Sequence, residues 1–190
     1  HASQSHKPAT LAAALSTGDG ETRYLAGGQS LVAGMKLRLS QPSSLVDLSG
    51  LAELRDIKAD GGTLTIGAMT RHAEVAASAD VRSRIAALAD LAAGIGDRQV
   101  RNMGTLGGSL ANNDPASDYP GAVLGLGATV ITTQRRIMAD EYFIGLYETV
   151  LEPREIITAV AFPVPKKAAY VKFRNAASRF RCRKMVSGGG

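Results

Sequence analysis

Only one cysteine, Cys182, occurs in the 190-residue chain, so no internal disulfide can form and no cysteine-built iron–sulfur or zinc framework is supplied from within. A lone thiol of this kind reads as incidental rather than as a redox nucleophile. Tryptophan is absent, aromatics make up 5% of residues, and histidine occurs only at His1, His6 and His72. That scarcity starves a Ser/His/Asp or Cys/His engine of bases and removes the aromatic surfaces on which nucleic acid bases stack. His72, in TRHAEVAAS, reads as a partly exposed residue at a helix start rather than as a catalytic group. No apolar run approaches the roughly 20 residues of a membrane span, and the opening HASQSHKPAT has no apolar leader region, so a cytosolic chain with no transmembrane segment is expected.

The chain does have 45% apolar residues, enough for a core in one large domain or two small ones. Lys and Arg (22) exceed Asp and Glu (17), and the net charge of +5 suits an anionic ligand or an acidic partner. The excess is spread out: Arg98 and Arg101 precede a glycine cluster, Arg135, Arg136, Lys166 and Lys167 fall in turns, and the one real run is Arg179, Arg181, Arg183 and Lys184. With so few aromatics interleaved, no nucleic acid partner is expected.

Glycine is where the chain is rich. AGGQS (Ala26–Ser30) and TLGGSLANNDPASDYP (Thr105–Pro120) each sit where a strand should give way to a helix. Glycine accepts positive φ and lets peptide N–H groups approach a pyrophosphate, with the positive end of the following helix aimed at the same place. Two such segments can hold one long, doubly charged ligand, so a dinucleotide is the first candidate. The competing reading is that the glycines only mark tight turns. A Rossmann fingerprint is not supplied by AGGQSLVAG, although Asp47 lies at about the distance of its acidic residue.

Periodicity predicts a short helix over TLAAALS, strands at ETRYLA and SLVDLS, and a helix capped by Ser30 with Leu31, Met35 and Leu39 on one face. A hairpin turn is expected at Gly61–Gly62, then a strand at TLTIGAM. Thr70 is expected to cap a helix to about Ser78, and Asp80 to start another with Val81, Ile85, Leu88 and Leu91 as its apolar stripe. Further strands are expected at ATVITT, ITAVAFPVP and AAYVKFR, while FRCRKMVSGGG completes no element. The order lacks regular β–α–β alternation, which favours an α+β fold with a dinucleotide mode unrelated to the doubly wound one.

Three segments, AGGQSLVAGMKLRL, TLTIGAMTRHAEVA and IGDRQVRNMGTLGGSLANNDPASDYP, resemble the FAD-binding medium subunit of aerobic carbon monoxide dehydrogenases and related molybdenum hydroxylases, including the flavin domain of xanthine dehydrogenase. The similarity runs from about His6 to Arg179. It implies a two-lobed FAD-binding domain of the vanillyl alcohol oxidase/CO dehydrogenase flavoprotein type: residues 1–55 as the first lobe, 56–180 as the second, and 181–190 as an unassigned tail. The small C-terminal cap domain with which the family continues is expected to be missing, and the turn at Thr133–Arg136 is shorter than the family's hairpin.

By the same resemblance the pyrophosphate is wrapped by Ala26, Gly27, Gly28, Gln29 and Ser30, with Leu31 following, and similarly by Thr105, Leu106, Gly107, Gly108 and Ser109. Asp118 matches the acidic residue that binds the flavin's polyol portion; capping the helix after Pro120 is its alternative role. Asn112 and Ser117 line the same loop. Ile157 falls where the family packs an apolar residue on the isoalloxazine, with ordinary strand core as the alternative. Lys172 or Arg174 falls where a basic group near the ring would stabilise reduced, anionic flavin.

The resemblance further implies FAD in this chain, two [2Fe-2S] clusters in a small partner subunit and a molybdenum cofactor in a large one, the whole a dimer of heterotrimers. Electrons would leave for a quinone, NAD or oxygen, with no catalytic or metal-ligating residue in this chain. The expected location is the cytoplasm, with association at the inner face of the cytoplasmic membrane left open. Two rivals remain: a self-contained FAD-dependent oxidoreductase of the same fold, which needs a proton donor not evident here, and a non-redox scaffold subunit without flavin.

Overall fold

The computed structural model describes residues 4–37, 41–174 and 181–188, with 173–174 and 181–188 described at the level of the backbone. The first sheet is built from three short strands joined by helical crossovers, as parallel pairing requires. In chain order these are β1 (Gln4–His6), α1 (Leu11–Ser16), β2 (Arg23–Leu25), α2 (Leu31–Lys36) and β3 (Ser44–Asp47), with β3 central and parallel to both neighbours. Thr10 caps α1 by accepting the Ala13 N–H at 3.1 Å. Ala14, Val46, Leu48, Leu51 and Leu54 form a small apolar cluster with Met69 and Ile156, two residues from later in the chain.

After a single helical turn at Ala52–Leu54 come β4 (Ile57–Asp60) and β5 (Thr63–Gly67), paired across the Gly61–Gly62 turn. A helical run follows: α3 (His72–Ala77), α4 (Ala79–Arg84), α5 (Ala86–Ala93), α6 (Arg98–Met103), α7 (Leu106–Asn112) and α8 (Tyr119–Gly125). The chain then forms β6 (Thr129–Thr132), β7 (Arg136–Met138), the turn-long α9 (Ala139–Tyr142), a hairpin of β8 (Phe143–Gly145) and β9 (Glu148–Thr149), and β10 (Ile157–Pro163). Five of these strands make an antiparallel sheet in the order β4-β5-β10-β6-β7. Alternation turns Leu64 and Ile66, Val130, and Val160 and Phe162 inward, where Leu88, Leu91, Leu106, Leu110 and Val123 of the helices join them in one core. Each such side chain contributes about 1.5–3 kcal/mol relative to remaining in water.

Four expectations are corrected. Ser30 makes no side-chain cap to α2, because its own backbone is helical (φ −95°, ψ −51°) and does not aim the hydroxyl at the first turn. Arg71, not Thr70, is the N-cap of α3, where the Glu74 carboxylate accepts the Arg71 N–H at 2.7 Å. The predicted helix after Asp80 is broken at Ile85 (φ −140°, ψ 69°), although Val81, Ile85, Leu88 and Leu91 are all buried as its stripe requires. Finally, the tail does complete an element: β12 (Arg181–Gly188) pairs antiparallel with β11 (Lys167–Arg174), Arg174 opposite Arg181. A partner strand supplies those ladder bonds, so no alternation within the tail was needed to form them. Among the described residues no helix is long and apolar enough to cross a membrane.

Arg154 ties the two regions together. Its guanidinium donates to the carbonyls of Leu15, Thr17 (3.1 Å), Gly18 (3.0 Å) and Asp19 (3.4 Å), closing the end of α1. The residue does so from a left-handed backbone, φ 69°. Arg154→Ala keeps that unfavourable backbone and loses the bonds, a cost of about 2 kcal/mol. Arg154→Gly loses the bonds but relieves about 1 kcal/mol of backbone strain. Urea unfolding should therefore rank wild type, then Arg154→Gly, then Arg154→Ala; equal midpoints for all three would sink the clamp.

Candidate functional site

The first glycine segment leaves β2 and turns through Gly28, whose φ of +74° is a conformation that side-chain-bearing residues rarely adopt. Gly27, one residue earlier, lies against the second segment so closely that a Cβ there would overlap the Met103 carbonyl. A Cβ on Gly108 would in turn lie 3.3 Å from that of Ala26. The fold thus presses Ala26–Gly27 and Met103–Gly108 into one wall, although the segments are far apart in the chain.

The two segments use their backbones differently. The N–H groups of Gly27, Gly28, Gln29, Ser30 and Leu31 donate to no acceptor among the described residues. In the second segment four are already engaged, Leu106 with Thr70 O (3.1 Å), Gly107 with Ala68 O (2.8 Å), Gly108 with Thr105 Oγ1 (3.1 Å) and Ser109 with Thr105 O (3.1 Å), while the Thr105 N–H, like those of the first segment, donates to no acceptor among the described residues. The unengaged donors therefore concentrate at Gly27–Leu31, with Thr105 adding one from the second segment. A pyrophosphate fits this arrangement, since an anion needs free donors on one side and an absence of side chains on the other.

At the end of α7, Asn112 is half-buried and Asn113 takes the left-handed conformation, φ 42°, that asparagine tolerates. The Asn113 amide donates to Gly145 O (2.7 Å) and Glu148 O (3.0 Å), fastening the β8–β9 hairpin to this loop. The sequence reading missed Asn113; its signal was an asparagine directly after a helix, followed by an Asp-Pro turn. Ser109 and Ser117, on either side of the loop, bring their hydroxyls into direct contact.

Asp118 is 5% exposed and makes no side-chain cap to α8, so the capping alternative is not what its carboxylate does. Instead Oδ1 accepts from the Tyr170 hydroxyl at 2.6 Å and Oδ2 from Lys172 Nζ at 3.2 Å. Lys172 Nζ also donates to Gly94 O at 2.7 Å. Of the two basic candidates, Lys172 is thus placed beside Asp118, while the side chain of Arg174 lies outside the described ones. Ile157 is buried at the start of β10 within the main apolar core.

His72 is not partly exposed as expected but 5% exposed. It packs behind the second segment: a Cβ on Gly104 would lie 2.5 Å from its Nε2, and the Tyr119 ring is 5.2 Å away between centroids. His72 Nδ1, the Tyr119 hydroxyl and Thr70 Oγ1 are buried without a partner among the described residues. Burial pushes the His72 pKa down to about 4 against a weaker opposing pull from Asp118, and burial raises that of Tyr119. Because the unfolded imidazole titrates near 6.5, it binds a proton that the folded one refuses between that pH and 4. The stabilisation is full above pH 6.5 and declines as pH falls toward 4, by about 3 kcal/mol in total. Urea midpoints measured across that window should fall for wild type and stay flatter for His72→Gln; parallel curves would refute the assignment.

Residues 1–165 match the family described as FAD binding domain in molybdopterin dehydrogenase. The carbon monoxide dehydrogenase medium chain of Hydrogenophaga pseudoflava is 39% identical over 147 residues, covering 75% of this chain and 51% of that one. The corresponding chain of Afipia carboxidovorans is 40% identical over 167 residues, covering 84% and 58%. Among solved structures, reconstituted CO dehydrogenase from Oligotropha carboxidovorans matches with a TM-score of 0.90 at 33% identity, over 100% of this chain and 71% of that chain. The chain spans about half the length of the curated relatives it matches.

Proposed function

The chain belongs to the family of FAD-binding domains of molybdopterin dehydrogenases, and from that premise we propose that it is the flavin-carrying, electron-transfer part of a molybdenum hydroxylase. The observation that carries the reading is the junction of the two glycine segments, with five unengaged N–H groups on one side and a side-chain-free wall on the other. Bound FAD supplies the redox chemistry, taking up electrons singly and handing on a pair. The chain's own residues bind and orient it. The Gly27–Leu31 amides would hold the pyrophosphate together with Thr105–Ser109, whose glycines keep that wall clear of side chains, and Asp118, with Asn112 and Ser117 on the same loop, would take the polyol hydroxyls. Lys172 keeps a cation near the ring that favours its reduced, anionic form; Ile157 supports that end from the core.

Electrons would come from [2Fe-2S] clusters in a small partner subunit, reduced in turn by a large subunit that holds the molybdenum cofactor and the substrate. The relatives include medium chains of carbon monoxide and glyceraldehyde dehydrogenases, so the flavin part serves complexes with different substrates. The test is the visible spectrum and fluorescence of the native complex containing this chain, before and after denaturation and phosphodiesterase treatment. Release of a yellow chromophore that brightens as FAD is cleaved to FMN is the expected result. An intact complex without flavin would return the glycines to turns and give the scaffold reading the lead.

A further inference from the structure

We infer that Asn113 is a positioning residue for the polyol end of the flavin site, fixing the α7–α8 loop against the β8–β9 hairpin, an inference that rests on the functional reading just given. The loop runs from Asn113 to Asp118, carries Ser117, and is held at both ends. At its far end Asp118 is gripped by Tyr170 and Lys172 of β11. At its near end Asn113 is buried and makes three bonds to the turn of the hairpin. Its Nδ2 donates to Gly145 O at 2.7 Å and to Glu148 O at 3.0 Å, and its own carbonyl accepts from Tyr147 N at 3.1 Å.

Two demands meet at Asn113. The chain must leave α7 in the left-handed conformation (φ 42°, ψ 46°), which glycine and asparagine tolerate best, and the side chain must bring two donors to two carbonyls. Glycine meets only the first demand. Aspartate keeps the shape but turns a carboxylate oxygen toward the carbonyls of Gly145 and Glu148, acceptor against acceptor. Beyond Asn113 the loop is stiff, because the Asp114 carboxylate accepts from Ala116 N at 2.7 Å and the Asp114 carbonyl from Ser117 N at 2.8 Å. A shift at Asn113 is therefore carried to the Ser117 hydroxyl, which touches that of Ser109 across the loop. The hairpin turn itself buries little: Leu146 and Tyr147 are exposed, and Tyr147, whose N–H reaches Asn113, holds a left-handed backbone (φ 57°). Strain at an exposed turn that contributes little to the core fits a role in placing the loop.

The test uses the native complex stripped of flavin and titrated with FAD and, separately, with ADP, which contains the pyrophosphate but lacks the polyol and the ring. Asn113→Gly keeps the left-handed turn and removes the two amide bonds, whereas Asn113→Asp keeps the shape and sets acceptor against acceptor. FAD should bind about tenfold more weakly to the glycine variant and more weakly still to the aspartate one, while ADP affinity stays within about twofold of wild type. A second measurement needs no variant. In the wild-type complex the Tyr147 amide should exchange its hydrogen more slowly once FAD is bound but not once ADP is bound, because coupling between ligand and loop is reciprocal. Wild-type FAD affinity in both variants overturns the proposal. Equal loss of FAD and ADP affinity also overturns it, making the bonds a matter of fold alone, and so does a Tyr147 amide indifferent to FAD. A wild-type complex that neither carries nor takes up FAD fails the functional reading, whereas one that binds FAD and gives any of these overturning results fails the role of Asn113 alone.

Discussion

Gly27→Ala is expected to weaken FAD binding by roughly 10- to 100-fold while leaving helix content near wild type. The added methyl group would overlap the Met103 carbonyl and lie 2.9 Å from Gly104 Cα. That neighbour cannot easily retreat. Gly104 N donates to Val100 O at 2.7 Å, Gly104 O accepts from His72 N at 3.0 Å, and His72 fills the space behind. The first segment must therefore move away, carrying its unengaged amides with it, and the wall shared by the two segments opens. Gly34→Ala is the internal control. Gly34 lies within α2 with nothing within 4 Å of an added Cβ, so the change should favour that helix by up to about 1 kcal/mol and leave FAD bound. Flavin-to-protein ratios of the purified complexes, followed by fluorescence titration of FAD-stripped samples, measure both. A Gly27→Ala complex that titrates like wild type would remove the junction from the binding site.

Much of this arrangement was legible in the sequence because its causes are local. Alternation at Thr63–Gly67 and Ile157–Pro163 marked strands that are buried on one face, and the Gly61–Gly62 pair marked the turn between β4 and β5. The two glycine segments stood out because free backbone approach has few other residue solutions. What escaped depends on partners distant in the chain. The amides of Leu106 and Gly107 are engaged by carbonyls at Thr70 and Ala68, and no pattern within TLGGS reports that. His72 is buried because Gly104 and Tyr119 close over it, whereas its own segment reads as an ordinary helix start. Asp118 looked equally suited to a cap and to a ligand; Tyr170 and Lys172, brought in by β11, fix the direction of its carboxylate.

Asp118 joins β11 to the start of α8 through Tyr170 and Lys172, and two substitutions separate that structural role from the proposed one in cofactor binding. Asp118→Ala deletes both acceptors and leaves the Lys172 ammonium, 14% exposed by side chain, with the Gly94 carbonyl as its remaining acceptor among the bonds described above. Removing one member of this largely buried ion pair should cost about 3 kcal/mol and loosen β11 from the helices, lowering the melting temperature along with FAD content. Asp118→Asn preserves the shape and one strong acceptor for the Tyr170 hydroxyl, so most of the stability should survive. Its neutral oxygen is a weaker acceptor for the polyol hydroxyls, and FAD affinity should fall about tenfold through loss of the charge-assisted bonds. The two readouts must part company in the asparagine variant: melting near wild type, flavin retention clearly below it. If both stay at wild-type values, the carboxylate acts only as a spacer between α8 and β11. If both fall together as in the alanine variant, its charge serves Lys172 and the fold, and the polyol must be held by Asn112 and Ser117 instead.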